Sequence, residues 1–309
     1  MDSPNQIAAP DSAVRAPRVL LGGQSSLARR YAAPAALRGV VIAVLSRDTR
    51  GVALSDAQRL SHFPASPFIC LSWRHQGESG LVERSESASV WRGFNSDVMI
   101  SGSQSSSSVA WSPGPAMGGM AYFSVSTARE LFNLDASLIQ DRSVCARSVL
   151  GHTWFAMCDD LASSSDDAAM LAALEKHIAP RWQCLSRQAL TMGTLQRAGQ
   201  RWVEGLAAQA NEWSLSRSMR QVERRIKKIS GRSLRDWHLL VSTEQVFFTA
   251  RDQQESGRML DWAALALDAG FADQAHLNRT VKRLTGFPPA EFARRFIEDE
   301  SFWVYRLWA

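Results

Sequence analysis

Clustered metal ligands are missing from this sequence of 309 residues. Its four cysteines, Cys70, Cys145, Cys158 and Cys184, stand far apart without a CxxC pair, so no zinc site built on closely spaced thiolates is expected. No apolar run nears the ~20 residues of a membrane-spanning helix; the longest candidate is Val40 to Leu45. A secretory plan is lacking too, since Asp2 and Pro4 stand where a basic segment belongs and no long apolar core follows. These absences set the expectation of a cytoplasmic protein with reduced thiols, no metal, no cofactor and no membrane partner. Each cysteine reads as a small packed residue, with a redox sensor as the alternative. The serine-rich segment Ser101 to Ser108 has no Gly-x-Ser-x-Gly pattern and reads as a surface loop, not a nucleophile site. His62, His75 and His152 are isolated and read as structural histidines, not ligands; with neither a nucleophilic-cysteine site nor a metal-bound cysteine cluster in the pattern, the chain is not expected to be an enzyme.

The chain does have ample apolar material and an uneven charge. With 45% hydrophobic residues and this length, two domains are the default. Residues 1–184 carry 16 basic and 16 acidic side chains, whereas residues 185–309 carry 19 and 14, so the whole net charge of +5 lies in the last part. It is densest from Arg217 to Arg235, where Arg217, Arg220, Arg224, Arg225, Lys227, Lys228, Arg232 and Arg235 face only Glu223 and Asp236. Such a stripe is the footprint of a polyanion binder or, equally, a solvated helix face.

Periodicity divides the chain in the same way. Residues 1–38 are Ala-, Ser-, Pro- and Arg-rich and read as a partly disordered arm. From 39 to 182, apolar runs at Val40–Leu45, Phe68–Trp73, Val98–Ile100 and Met120–Val125 alternate with Gly, Pro and Ser clusters, which predicts strands. A short capped helix is expected around Ser126 to Phe132. A longer one should run from Asp166 to Ile178, with Met170, Leu171, Leu174 and Ile178 on one face and Pro180 as its stop. From 183 to 297 the pattern is helical, with Gln183 to Met192 as the connection, and residues 298–309 form an aromatic tail. The expected class is α+β: a β-rich N-terminal domain with closing helices, then an all-α C-terminal domain. The tail's Phe302, Trp303, Tyr305 and Trp308 are expected to pack on the protein's own surface, with a partner surface as the alternative.

The basic stripe has internal logic. Ser218 and Gln221 fit a capping box, Val222, Ile226 and Ile229 follow as a buried stripe, and Gly231 stops the helix. Val203, Leu206, Ala207 and Ala210 outline a preceding helix, giving a helix-turn-helix over about 203–231. The layout recurs over about 261–286: Trp262, Leu265 and Ala266 form one apolar face, Gly270 breaks that helix, and Asp273 caps the next. Leu277, Val281 and Leu284 are its apolar positions, and Gly286 ends it. In both units the stop glycine lies thirteen residues after the cap. A linker helix at about 234–250 joins the units, and a closing helix begins near Phe292 after Pro288 and Pro289.

At these residues the stretch from Leu206 to Phe296 resembles the DNA-binding domain of the AraC/XylS family of bacterial transcription regulators. The most specific segment runs from Ala266 through Gly270-Phe271, Asp273, Arg279, Lys282 and Gly286 to Pro288-Pro289. The first unit matches through Ser218, Arg224 and Gly231-Arg232-Ser233. Two departures stand out: the turn Asn211 to Arg217 is a residue or two long, and Leu239 to Ser242 lacks arginines. Residues 97–151 resemble, more weakly, an N-terminal domain of some AraC-like regulators.

The resemblance implies double-stranded DNA as partner, read in successive major-groove segments by the two second helices. Arg220 and Arg224 suit guanine, Gln274 and Asn278 suit adenine, and Arg279 is a further base reader. Lys227 and Lys228 join the DNA-facing set, while Lys282 and Arg283 suit phosphate. His276 either reads a base or packs, and Glu223 either accepts from cytosine or pairs with a neighbouring Lys. The N-terminal domain is expected to sense a small-molecule effector or to mediate a homodimer. The alternatives are a protein-interaction regulator with degenerate DNA binding and an enzyme fused to a DNA-binding module.

Overall fold

The computed structural model describes residues 7–19, 27–84, 89–185, 195–256 and 261–308. The class is α+β: strands come first and helices follow. The strands are β1 (Ile7–Ala8), β2 (Ala28–Tyr31), β3 (Ala43–Asp48), β4 (Leu60–Phe63), β5 (Ile69–Gln76), β6 (Gly80–Arg84), β7 (Ser89–Gly93), β8 (Val98–Ser101), β9 (Ser108–Trp111), β10 (Met117–Phe123) and β11 (Ser143–Cys145). They form a five-stranded sheet of order β1-β7-β6-β9-β4 and a six-stranded sheet of order β11-β8-β5-β10-β3-β2. All pairings are antiparallel.

Alternation along the strands decides what each face of the larger sheet meets. Ile69, Leu71 and Trp73 of β5, with Ala121 and Phe123 of β10, point outward into a core closed by helices α1 (Val125–Phe132), α3 (Phe155–Ser163) and α4 (Asp167–Leu185). Cys70 and Ser72, with Met120 and Tyr122, point the other way and line a cavity. The short helix α2 (Ala146–Val149) lies between β11 and α3. Ser124, not a residue inside the helix, caps α1, its side chain accepting from the Thr127 amide.

Three boundaries differ from the sequence reading. Pro180 does not stop α4, which continues to Leu185. Proline removes one N–H donor and leaves the others, and the Arg181 guanidinium supports the adjoining His177 carbonyl at 3.1 Å. The β-rich unit also begins before residue 39, because β2 pairs with β3 and Leu37 is fully buried in the core. Finally, residues 7–19 of the arm are hydrogen-bonded at both ends. β1 extends the smaller sheet, Arg18 donates its amide to the Glu298 carbonyl, and Arg295 donates from Nη1 to the Val14 carbonyl. Weak periodicity reads as disorder when the partners of a segment lie nearly three hundred residues away. The expected connection at 183–192 lies, from 186 onward, outside the described residues.

The helical half contains α5 (Leu195–Ser214), α6 (Met219–Ser230), α7 (Leu234–Glu255), α8 (Trp262–Asp268), α9 (Gln274–Thr285), α10 (Pro289–Glu298) and α11 (Trp303–Trp308). α7 packs against both helix pairs, α5–α6 and α8–α9. Its first half places Trp237 and Leu240 against Val203, Leu206, Val222 and Ile226. Its second half places Val246 and Ala250 against Leu265, Phe271, Leu277 and Val281. The tail packs on the protein's own surface: Trp303, Val304 and Trp308 join Ile42, Leu45, Phe68 and Tyr122 of the β-rich unit in one apolar cluster. His62 of β4 is stacked on Phe302 at 4.6 Å and meets Phe287 edge-on at 5.6 Å.

Both stop glycines are left-handed, Gly231 at φ 85° and Gly286 at φ 83°. An alanine at Gly286, where the space is open, should cost about 1–2 kcal/mol because a Cβ disfavours this conformation, and at Gly231 at least as much, since the added Cβ would also displace the Gln140 side chain. Asn, which tolerates it, should cost less. Chemical denaturation of Gly231→Ala, Gly286→Ala and Gly286→Asn checks the ranking; equal stability of all three with wild type would overturn it.

His62 supplies a pH test. Burial, with Arg295 nearby, pulls its pKa from 6.5 down to about 3, so the folded state holds the ring neutral. The unfolded chain takes up a proton below its own pKa, so stability falls as pH drops from about 6.5 toward about 3. His62→Phe should remove on the order of 1–2 kcal/mol of the loss seen between about pH 7 and about pH 5. Denaturation curves at the two pH values, with an unchanged difference in the variant, would count against this role.

Candidate nucleic-acid interface and inner cavity

Local chemistry builds both α6 and α9. Ser218 caps α6 with a complete capping box, its side chain accepting from the Gln221 amide while the Gln221 side chain accepts from the Ser218 amide. Asp273 caps α9 by accepting from the His276 amide at 2.6 Å. Gly231 and Gly286 end the two helices with matching amide bonds, to the carbonyls of Lys227 and Lys282. Gly270 ends the turn after α8 at φ 81°.

On α6, Val222 and Ile226 are buried as expected, but Ile229 is 42% exposed. The buried residue of the last turn is Ser230, which lies four positions after Ile226 and continues the stripe at helical spacing. Its hydroxyl donates to the Ile226 carbonyl and accepts from Trp237 Nε1 at 3.0 Å, so a polar side chain is satisfied inside the core. The turn before α6 is Leu215 to Arg217, because α5 reaches Ser214; the extra length noted in the sequence lies in the helix.

Arg220, Arg224, Lys227 and Lys228 are exposed on α6. Glu223 pairs with Lys227 at 3.0 Å, the pairing alternative of the two left open above. Two cations of the basic stripe are engaged elsewhere: Arg225 lies 4.4 Å over the Trp213 ring and Arg232 lies 5.7 Å from the Trp237 ring. Burial holds the Arg232 pKa below its usual value, partly offset by Asp236 and Asp141.

On α9, Gln274, Asn278, Arg279, Lys282 and Arg283 are exposed, and His276 is half-buried. His276 meets Phe271 edge-on at 5.4 Å, which is the packing alternative. The helix splits these residues into two stripes. His276, Arg279 and Arg283 turn toward α6 and, with Arg220, Glu223 and Arg235, line a cleft of about 920 Å³ floored by α7. Gln274, Asn278 and Lys282 lie outside that cleft, as do Arg224, Lys227 and Lys228. The arrangement therefore gathers Arg220, Arg279 and Arg283 on one concave, cation-rich surface and leaves the remaining candidates on its flanks.

A second site lies in the half expected to sense an effector, but its lining residues escaped the sequence reading. Between the sheets lies a cavity of about 220 Å³ with Phe63, Phe68, Met99, Met120 and Tyr122 among its walls. Polar groups are scattered among them, and burial pushes the Cys70 thiol up to about 12, so it stays protonated. Two walls come from the tail, Trp303 and Trp308. The strand alternation that leaves Cys70, Ser72 and Tyr122 unpaired with the helical core was the available signal; nothing local marked the tail.

Among the described residues, no group of His, Cys, Asp and Glu is arranged to hold a metal ion, and no helix is long and apolar enough to cross a membrane.

No family profile matches the chain, and no curated protein matches its sequence. Solved structures of ToxT from Vibrio cholerae do share features of its backbone. The P21 crystal form is 10% identical over 76% of this chain and 93% of that one, with a TM-score of 0.37. The protein of strain O395 is 11% identical over 77% and 94%, with a TM-score of 0.36. The form bound to an unsaturated fatty acid is 10% identical over 78% and 94%, with a TM-score of 0.35. At these scores the likeness bears neither on function nor on the site residues.

Proposed function

We propose that this chain is a sequence-specific DNA-binding transcription regulator of the AraC/XylS type, rather than an enzyme, working in the cytoplasm. The observation that carries the reading is the matched pair of capped helices, α6 and α9. Each is closed by a left-handed glycine at the same offset, and together they line one cation-rich cleft. Exposed guanidinium groups on such helices can donate two hydrogen bonds to a guanine edge. Arg220 and Arg224 take that role on α6. On α9, Arg279 joins Gln274 and Asn278 as readers of bases, while Lys282 and Arg283 meet phosphate. His276 supports Phe271 and holds the start of α9 in place. A small-molecule effector in the inner cavity modulates the DNA-competent arrangement, provided it binds the two arrangements with different affinity.

Selection of bound fragments from genomic DNA, followed by a salt series on the enriched sequence, tests the reading. A discrete operator should emerge, with log affinity falling linearly in log salt. Arg224→Ala and Arg279→Ala should each relax base preference by about 1–3 kcal/mol at one position. Lys282→Ala should weaken all sequences alike and lower the salt slope by about one. Binding that is weak and independent of sequence would favour a regulator that acts through protein contacts instead.

A further inference from the structure

The spacer helix α7 carries a carboxylic acid near its middle. Glu244 is half-buried there and lines a small, partly open cavity of about 30 Å³. The walls come from α7, the end of α9, α10, α11 and the loop between β4 and β5, where the helical half meets the β-rich unit. The cavity lies outside the two sheets and shares only Pro64 and Trp308 with the inner one. An acid in such surroundings calls for a partner. Among the described residues, however, no side chain donates to the Glu244 carboxyl and no cation lies beside it. Burial alone pushes its pKa from 4.5 up to about 8.

The other walls share one electrostatic character. Thr243 donates its hydroxyl proton to the Leu239 carbonyl at 2.7 Å, and Thr285 donates to the Val281 carbonyl at 2.9 Å, so toward the cavity both hydroxyls can only accept. Phe247 and Phe292 have ring centres 4.1 Å apart, Tyr305 meets Phe292 edge-on at 4.9 Å, and Trp308 adds a further ring. Aromatic faces carry negative potential and attract cations, most strongly where water is displaced. Among the described lining residues there is no lysine, arginine or histidine. Glu244 of α7 and Tyr305 of α11 are the ones that titrate; α9, α10 and the β4–β5 loop contribute none. Tyr305 stays protonated, since burial and the nearby Glu244 both raise its pKa.

Size and donor count select among cations. One carboxylate supplies too few oxygen ligands for calcium or magnesium. The free space takes a small head group, whereas a quaternary ammonium is too large for it. A primary ammonium offers three N–H donors, which match the carboxylate and the two threonine oxygens. We propose that this cavity binds a primary alkylammonium ion, its head group held by the Glu244 carboxylate among the rings of Phe247, Phe292 and Tyr305, with the alkyl chain directed to the cavity mouth. Binding uses the ionised carboxylate, so a proton leaves Glu244 as the cation enters from neutral solution. One positive charge replaces another, and the buried site stays neutral overall. The site needs only the packing of α7, α10 and the tail, and is independent of the DNA-binding reading.

Calorimetry on the full chain tests it with butylammonium, using 1-butanol and tetraethylammonium as neutral and oversized counterparts. At about pH 8.5 butylammonium should bind about tenfold or more tightly than either. The amine stays charged at lower pH, yet its affinity should fall by about an order of magnitude between about pH 8.5 and about pH 6.5, because Glu244 must first give up its proton. Near neutral pH the binding heat should vary with the ionisation enthalpy of the buffer and report close to one proton released. These readouts use the wild-type chain and need no variant to fold. Glu244→Gln keeps the shape of the side chain and should bring butylammonium down to the affinity of 1-butanol at either pH. Absence of butylammonium binding, equal affinity for 1-butanol or tetraethylammonium, affinity that does not change with pH, or undiminished binding by the Gln variant would each overturn the proposal.

Discussion

The seam between the β-rich unit and the C-terminal tail holds the two halves of the molecule in one arrangement. Phe302, Trp303 and Trp308 are buried there against His62, Phe68 and Tyr122. Aromatic side chains bury roughly 150–250 Å² each, so each contributes roughly 4–6 kcal/mol of burial before the entropy of ordering is subtracted. Around this apolar centre the charges are matched. Arg47 meets Glu300, and Arg295 meets both Glu291 and Asp299. Arg295 also binds the arm, whose backbone crosses the tail through the Pro17–Asp299 bridge. The N-terminal and C-terminal ends of the described chain thus meet on the same surface.

The helical half was legible in the sequence because its signals are local. A cap, a buried stripe at helical spacing and a stop glycine all lie within thirteen residues, and Ser218, Asp273, Gly231 and Gly286 occupy the places their chemistry demands. The misreadings there were also local in cause. Ile229 was assigned to the core because it is apolar, whereas Ser230 holds the position that the stripe continues to, made tolerable by the Trp237 indole. In the β-rich half, strands could be placed approximately from apolar runs, but sheet order could not. Adjacent strands in the larger sheet, such as β5 and β8 or β3 and β10, are brought together by pairings that no short window contains. The lining of the inner cavity was invisible for the same reason: its walls come from β3, β4, β5, β8, β9, β10 and a tail some two hundred residues further on.

Charge was the coarsest guide and needed the structure to refine it. The basic stripe reads as eight equivalent cations in sequence, yet Arg225 and Arg232 spend their guanidinium faces on tryptophan rings, and Lys227 is shared with Glu223. What remains outward on α6 is a smaller set, and α9 completes it from the other side of the cleft. Cations engaged with aromatic rings still contribute to the long-range potential, so the net positive field of this half is kept while fewer cationic groups are left to contact another molecule.

One consequence follows from the continuity of α7. A single helix of 22 residues carries the packing surface of the first unit at one end and of the second at the other, so it fixes rotation as well as distance. Each residue of a helix turns the chain by about 100°. Exchanging exposed side chains on α7 leaves that phase intact, whereas inserting or deleting one residue between Leu240 and Val246 would swing α9 to another side of the molecule relative to α6. The spacer is a phase element, permissive in composition and strict in length.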